Sequence, residues 1–248
     1  MKALKHIYIL FLAIWILGCS DGDGLRLASP TGTGGSMARF AIASNHLFVV
    51  RNQTMQVYEI LAEGGLEFSN EVPIGFGIET IFARGNNLFI GAEDAIYIYD
   101  ISEPEVPRRL SRYSHIIACD PVVVQGNYAY ATLRISGCRT FGSDVLEVID
   151  ISNLSSPRLV TSINMSSPFG LGIDGTLLFV CEGNLGLKVF DATDPENPVH
   201  SKTYSAMHAW DVIPNQGTLI MTGQDGIAQY DYSDPEDIQL LSEIKIGL

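Results

Sequence analysis

Three carboxylates, Glu79, Asp120 and Asp211, hold corresponding places in three of the five copies of a repeat of about forty residues, a length typical of one blade in a repeat array. Arg39 and Phe169 fill the same place in the other two copies. Carboxylates set around one point can hold a hard cation such as calcium, which takes oxygen ligands. They can also receive a basic group of a ligand, or cap turns in solvent, and spacing alone leaves these readings open. His115 and His208 fall just before Asp120 and Asp211, with Met207 and Trp210 beside the second. A His–Asp pair can bind a metal or exchange a proton near neutral pH. No compact signature joins these residues: H-x-x-x-H, H-x-H, C-x-x-C and G-x-S-x-G do not occur.

The elements that must position these residues are written in the repeat. The phrases IYIYDISEPEVP (96–107), LEVIDISNLSSP (146–157) and LKVFDATDPENP (187–198) are variants of one another. The acidic residue ending each such strand, Glu59, Asp100, Asp150, Asp191 and Asp231, recurs at spacings of 41, 50, 41 and 40. A second run precedes it in phase: NHLFVV, NNLFIG, GNYAYA, GTLLFV and GTLIMT, each after a turn rich in Asn and Gly. A short inner run comes earlier and a polar run closes each unit, which makes four strands. No stretch after residue 37 has helical spacing, a cap and sufficient length. A lone four-stranded sheet leaves both faces wet, whereas blades packed on blades bury both. The sequence therefore specifies an all-β, five-bladed β-propeller of four-stranded antiparallel blades over 38–248. The recurrent Asp reads as a turn device, because its carboxylate can accept the N–H groups of the turn that Pro then fixes. Unit one begins at its inner strand and unit five ends at its outer one, so no strand is exchanged between the termini. Closure rests on side-chain packing, or leaves an edge for a partner.

The same ruler exposes an insertion. The spacing of 50 places about nine extra residues in LRISGCRTFGSD (133–144), the loop between the second and third strands of unit three. In a propeller these loops share one face with the connections between blades, so Arg134, Cys138, Arg139 and Phe141 join the carboxylates and histidines there. Cys119 lies at the same end of the same blade. In an exported protein this arrangement suggests a Cys119–Cys138 disulfide, although the sequence does not supply the Cα separation such a bond needs. Cys181 reads as a buried small hydrophobe.

Composition narrows the function. Hydrophobic residues make up 46% and charged ones 17%, a globular balance. The formal charge of −13, with no basic stripe, excludes nucleic acid as a partner. Lys2 and Lys5 precede an eleven-residue apolar run, IYILFLAIWIL (7–17), too short to span a bilayer and of the length of a signal-peptide core. The stretch SDGDGLRLASPTGTGGS after Cys19 has no apolar periodicity and reads as a flexible tether over 19–37.

Two resemblances follow from these residues. Ile16-Leu17-Gly18-Cys19 resembles the lipobox of bacterial lipoproteins, which implies removal of residues 1–18, lipid on Cys19 and a membrane anchor in the cell envelope. Acyl chains at that residue would suffice for stable attachment, since one chain alone is marginal. SDGD after the cysteine is similar to the acidic export signals of surface lipoproteins in Bacteroidota, which implies the outer membrane. VIDIS-x-x-x-x-P, with GNYAY before it, resembles the LVIVD-repeat propellers of bacteria. Trp210-Asp211 does not make this a WD repeat, because the pair opens an inner strand here and ends a third strand there. The reading that results is an envelope-anchored binding module for a protein, peptide or glycan. The competing class is a metal-assisted hydrolase or lyase using Glu79, Asp120 and Asp211 with His115 or His208. Fold does not choose between them.

Overall fold

A computed structural model describes residues 35–115, 121–135 and 142–246. Cys19, Cys119, Asp120, Cys138, Arg139 and Phe141 lie outside the described residues, as do the signal segment and most of the tether.

Twenty strands form five antiparallel four-stranded sheets, each in simple sequence order. Blade one holds β1 (Phe40–Ala43), β2 (His46–Arg51), β3 (Thr54–Ile60) and β4 (Leu66–Pro73). Blade two holds β5 (Ile78–Arg84), β6 (Asn87–Ala92), β7 (Ala95–Asp100) and β8 (Arg108–Ser114). Blade three holds β9 (Val122–Gln125), β10 (Tyr128–Leu133), β11 (Val145–Asp150) and β12 (Arg158–Asn164). Blade four holds β13 (Leu171–Asp174), β14 (Leu177–Cys181), β15 (Leu187–Asp191) and β16 (Val199–Tyr204). Blade five holds β17 (Asp211–Asn215), β18 (Thr218–Gly223), β19 (Gly226–Asp231) and β20 (Gln239–Lys245). The five-bladed propeller expected from the repeat is the fold observed.

Local chemistry explains the hairpins. The turn between β17 and β18 puts Gln216 at φ 48° and Gly217 at φ 86°, the left-handed pair that matches strand twist. The turn device is present in four blades. Asp100, Asp150, Asp191 and Asp231 each accept, at 2.8 Å, the backbone N–H of the residue two places on: Ser102, Ser152, Thr193 and Ser233. These bonds hold all four carboxyls below the ordinary aspartate range. Asp100 and Asp150 also pair with Arg108 at 3.1 Å and Arg158 at 2.7 Å. Every blade carries a register shift between its third and fourth strands at the same place, from Val57/Tyr58 to Gln229/Tyr230. Such bulges sharpen twist and turn the polar outer strand away from its neighbour.

The core is divided among the seams between blades. Four hydrophobic clusters join blades one and two, two and three, three and four, and four and five. Among the described residues none joins blade five to blade one. The register places Ile220 of β18 where Phe179 stands in β14, and Ile227 of β19 where Leu187 stands in β15. Phe179 and Leu187 are 0% exposed; Ile220 and Ile227 are 39% and 44% exposed. The outward face of blade one repeats the pattern. Its Leu47 and Val49 are half-buried where Leu88 and Ile90 of blade two are fully buried. Phe40 and Phe68 on that face are each 54% exposed. Among the described residues the ring thus has four sealed seams and one open one.

Candidate functional site

The channel mouth is built around the incoming chain. Residues 35–37 are read from composition as the end of the tether; Gly35 and Ser36 are buried at the channel, and Met37 is exposed. Ser36 is buried, and its hydroxyl donates to Asp211 Oδ1 at 2.9 Å while accepting the Leu171 N–H at 2.8 Å. The Met37 N–H reaches Asp211 Oδ2 at 3.3 Å. One residue on, the Ala38 carbonyl accepts the Ile81 N–H at 2.9 Å. Three residues, Ser36, Met37 and Ala38, therefore tie β17 of blade five, β13 of blade four and β5 of blade two together across the axis. Burial pushes the Asp211 carboxyl above its ordinary range, and the Ser36 hydroxyl pulls it partly back. A Cβ at either Gly35 or Gly170 would run into that carboxylate, so both glycines are there for close approach.

The other channel residues fall as follows. Glu79 is the extra residue of a bulge between β5 and β6 and is half-buried. Arg39 is exposed, and its carbonyl accepts the Val50 N–H at 2.9 Å. Trp210 is exposed, with its backbone tied to Thr222 and Gly170. His208 places Nδ1 3.0 Å from Asp225 Oδ2 in the adjacent hairpin loop, not against Asp211. Among the described residues no group of three or more His, Cys, Asp or Glu side chains could hold a metal ion. Cys181 is fully buried, which pushes its thiol well up and fits the hydrophobe reading.

His115 belongs to a different constellation. At the seam between blades two and three, beside the insertion, a cleft of about 500 Å³ is lined by Tyr113, His115, Leu133, Ile135, Val145, Glu147 and Leu159. The Tyr113 hydroxyl donates to Glu147 Oε2 at 3.0 Å, and the Tyr113 and His115 rings lie 6.4 Å apart. Burial pushes the Glu147 carboxyl up, while the Tyr113 hydrogen bond and the His115 charge draw it down. Burial also drives the Tyr113 hydroxyl well above its ordinary range, helped by the Glu147 charge. The cleft thus offers an apolar wall and a carboxyl that accepts the Tyr113 hydroxyl and lies within the influence of His115. Sequence reasoning passed over Tyr113 and Glu147. A signal existed: Glu147 interrupts LEVID at a position that is Gln56, Tyr97, Lys188 and Ala228 in the other blades. In blade four the same column is filled by an internal pair, Lys188 Nζ to the buried Glu182 at 2.8 Å. A larger cleft of about 590 Å³ lies on the opposite face, lined by Asp100, Ser102, Val106, Arg108 and Arg109. Its Asp100, Ser102 and Arg108 side chains are already committed to one another in the turn device, so it is the weaker candidate.

With that geometry in place, likeness to known proteins can be weighed. Residues 140–165, which hold β11, its turn and β12, match the LVIVD repeat. One blade of this β-propeller thus carries a segment similar to the LVIVD repeat. Among curated proteins none matches the chain. Solved structures share the fold at low identity. A protein from Lactobacillus plantarum superposes with a TM-score of 0.65 at 15% identity, over 82% of this chain and 69% of that one. The periplasmic gluconolactonase PpgL of Pseudomonas aeruginosa gives 0.62 at 15%, over 82% and 68%. AztD from Citrobacter koseri gives 0.60 at 13%, over 82% and 60%. At such identities the likeness concerns the fold alone, and the chain spans only 60–69% of each neighbour's length.

Proposed function

We propose that this LVIVD-repeat propeller is a lipid-anchored envelope protein that binds a ligand on its loop-rich face, in the cleft between blades two and three. The observation that carries this reading is the cleft itself: largely apolar walls, one half-buried carboxyl and an adjoining inserted loop, the combination expected of a binding site. The wall formed by Leu133, Ile135 and Leu159 suits an apolar side chain of a peptide or protein, and Glu147 suits a hydrogen-bond donor beside it. The metal-assisted hydrolase or lyase is the less favoured class, because Asp211 already accepts hydrogen bonds from Ser36 and Met37. The lactonase activity named for the Pseudomonas aeruginosa neighbour does not carry over on fold alone.

The test is binding to peptide and glycan arrays, compared between the native protein, Leu159→Arg at the lip of the cleft and Val106→Arg on the opposite face. Binding lost in the first variant and kept in the second supports the site; binding unaffected by Leu159→Arg overturns it. The anchor is tested separately. Cys19→Ser should release the protein from membranes, and unchanged partitioning overturns the lipid reading.

A further inference from the structure

The larger cleft, on the face opposite the proposed site, lies in the seam between blades one and two. Its volume of about 590 Å³ is in the range that takes a small organic ligand. Its origin is a missing lock. In blade four the Tyr204 hydroxyl donates to the Pro235 carbonyl at 2.8 Å and accepts the Ile238 N–H at 3.1 Å, which fastens that blade's outer strand to the turn of blade five. The register puts Val72 of β4 at the place of Tyr204, and the repeat puts Pro107 at the place of Ile238. Valine has no hydroxyl and proline no N–H, so the lock cannot form and the space stays open. Val72, Pro73, Val106 and Pro107 give it an apolar lining.

Two polar side chains of the lining are uncommitted. Tyr99 is 3% exposed, and among the described residues its hydroxyl has no hydrogen-bond partner. Arg109, its cross-strand partner on β8, is exposed and forms no ion pair among the described residues. Phe68, Leu159, His200 and Leu240 hold the place of Arg109 in the other blades, so the guanidinium is not part of the packing common to the repeat. Burial pushes the Tyr99 hydroxyl above its ordinary range and the Arg109 charge draws it partly back, so it stays protonated as a donor. Asp100, Ser102 and Arg108 are tied to one another and leave Arg109 to a ligand. Glu103 is exposed, where water and salt screen it. A guanidinium and a phenol beside an apolar wall match a carboxylate carried on an apolar body.

We propose that this cleft is a binding site for a small apolar monocarboxylate, with its carboxylate on Arg109 and the Tyr99 hydroxyl and its apolar body against Val72, Val106 and Pro107. The test is isothermal titration of the full chain with octanoate, phenylacetate and indoleacetate, each beside its neutral amide. At least one acid is expected to bind, with its amide weaker by roughly tenfold or more, because the charge-assisted bond is lost. Arg109→Gln should remove that preference by weakening the acid to the level of the amide. Tyr99→Phe should weaken the acid by roughly threefold. Val72→Tyr, which restores the side chain found in blade four, should fill the cleft and abolish binding. Leu159→Arg, in the cleft between blades two and three, should leave the acid bound as before, so the two sites are tested apart. An acid bound no better than its amide, a preference that survives Arg109→Gln, binding that survives Val72→Tyr, binding lost in Leu159→Arg, or no binding by any of the acids would each overturn the proposal.

Discussion

The two faces of blade five use the same strands and alternate residues, and they have opposite fates. Leu219 and Met221 point to blade four and are buried, whereas Ile220 and Ile227 point the other way and are not. Apolar alternation in a strand states which residues want burial, but it does not state that a neighbour is present to bury them. Burial in a propeller belongs to the seam, not to the blade.

The comparison can be broken most directly by truncating matched residues. Phe179→Ala, in the sealed seam, should destabilise by about 4 kcal/mol, while Ile220→Ala at the corresponding place should cost less than about 1 kcal/mol, read by denaturant unfolding. Equal losses would show that the seam is sealed in solution. A charge test ranks next. Lys188→Met leaves Glu182 buried without its counter-ion and should cost about 3 kcal/mol, whereas Lys202→Met, whose Glu236 partner is exposed, should stay within about 0.5 kcal/mol.

A pH test sharpens the contrast between blade one and the rest. The folded-state values of Asp100, Asp150, Asp191 and Asp231 are depressed. Their contribution is present above the unfolded aspartate range and is lost as pH falls through the folded values. Blade one has Glu59 and the turn ILAEGG instead. On acidification the protection of the turn amides, taken relative to their intrinsic exchange rates, should therefore fall in blades two to five first. A fall confined to blade one would contradict this. The smallest effect is expected at Glu147, whose folded value is raised. Its stabilising balance is greatest below the unfolded glutamate range and declines as pH rises through the folded value. Glu147→Gln should then be slightly more stable than the native protein near neutral pH and indistinguishable from it in acid. A melting-temperature difference that does not change with pH would refute the assignment.

The architecture was legible because it is local. Asn–Gly turns, Asp-x-Ser/Thr turns and alternating strands each need only neighbouring residues, and five copies repeat the message. What escaped depends on residues distant in the chain. Ser36 sits in a Gly/Ser/Thr stretch that reads as tether, and only folding brings it 175 positions across to Asp211. Glu147 was visible as a charged residue in an apolar strand, but its Tyr113 partner comes from the neighbouring blade. Lack of strand exchange foretold a weak closure. Ile220 and Ile227 are as apolar as residues of a sealed seam, but Thr222 and Gln229 on the same face stand where Cys181 and Val189 are buried, so the signal was present only in their neighbours.

The Ser36–Asp211 clasp also has a mechanical consequence. A pull applied to the chain before Gly35 does not reach β1 as a peeling force at the edge of a sheet. It arrives at the axis and is divided among β17, β13 and β5, so the load is shared by three blades. A domain held by its leading end would hang from its hub, with the vulnerable rim kept out of the line of tension.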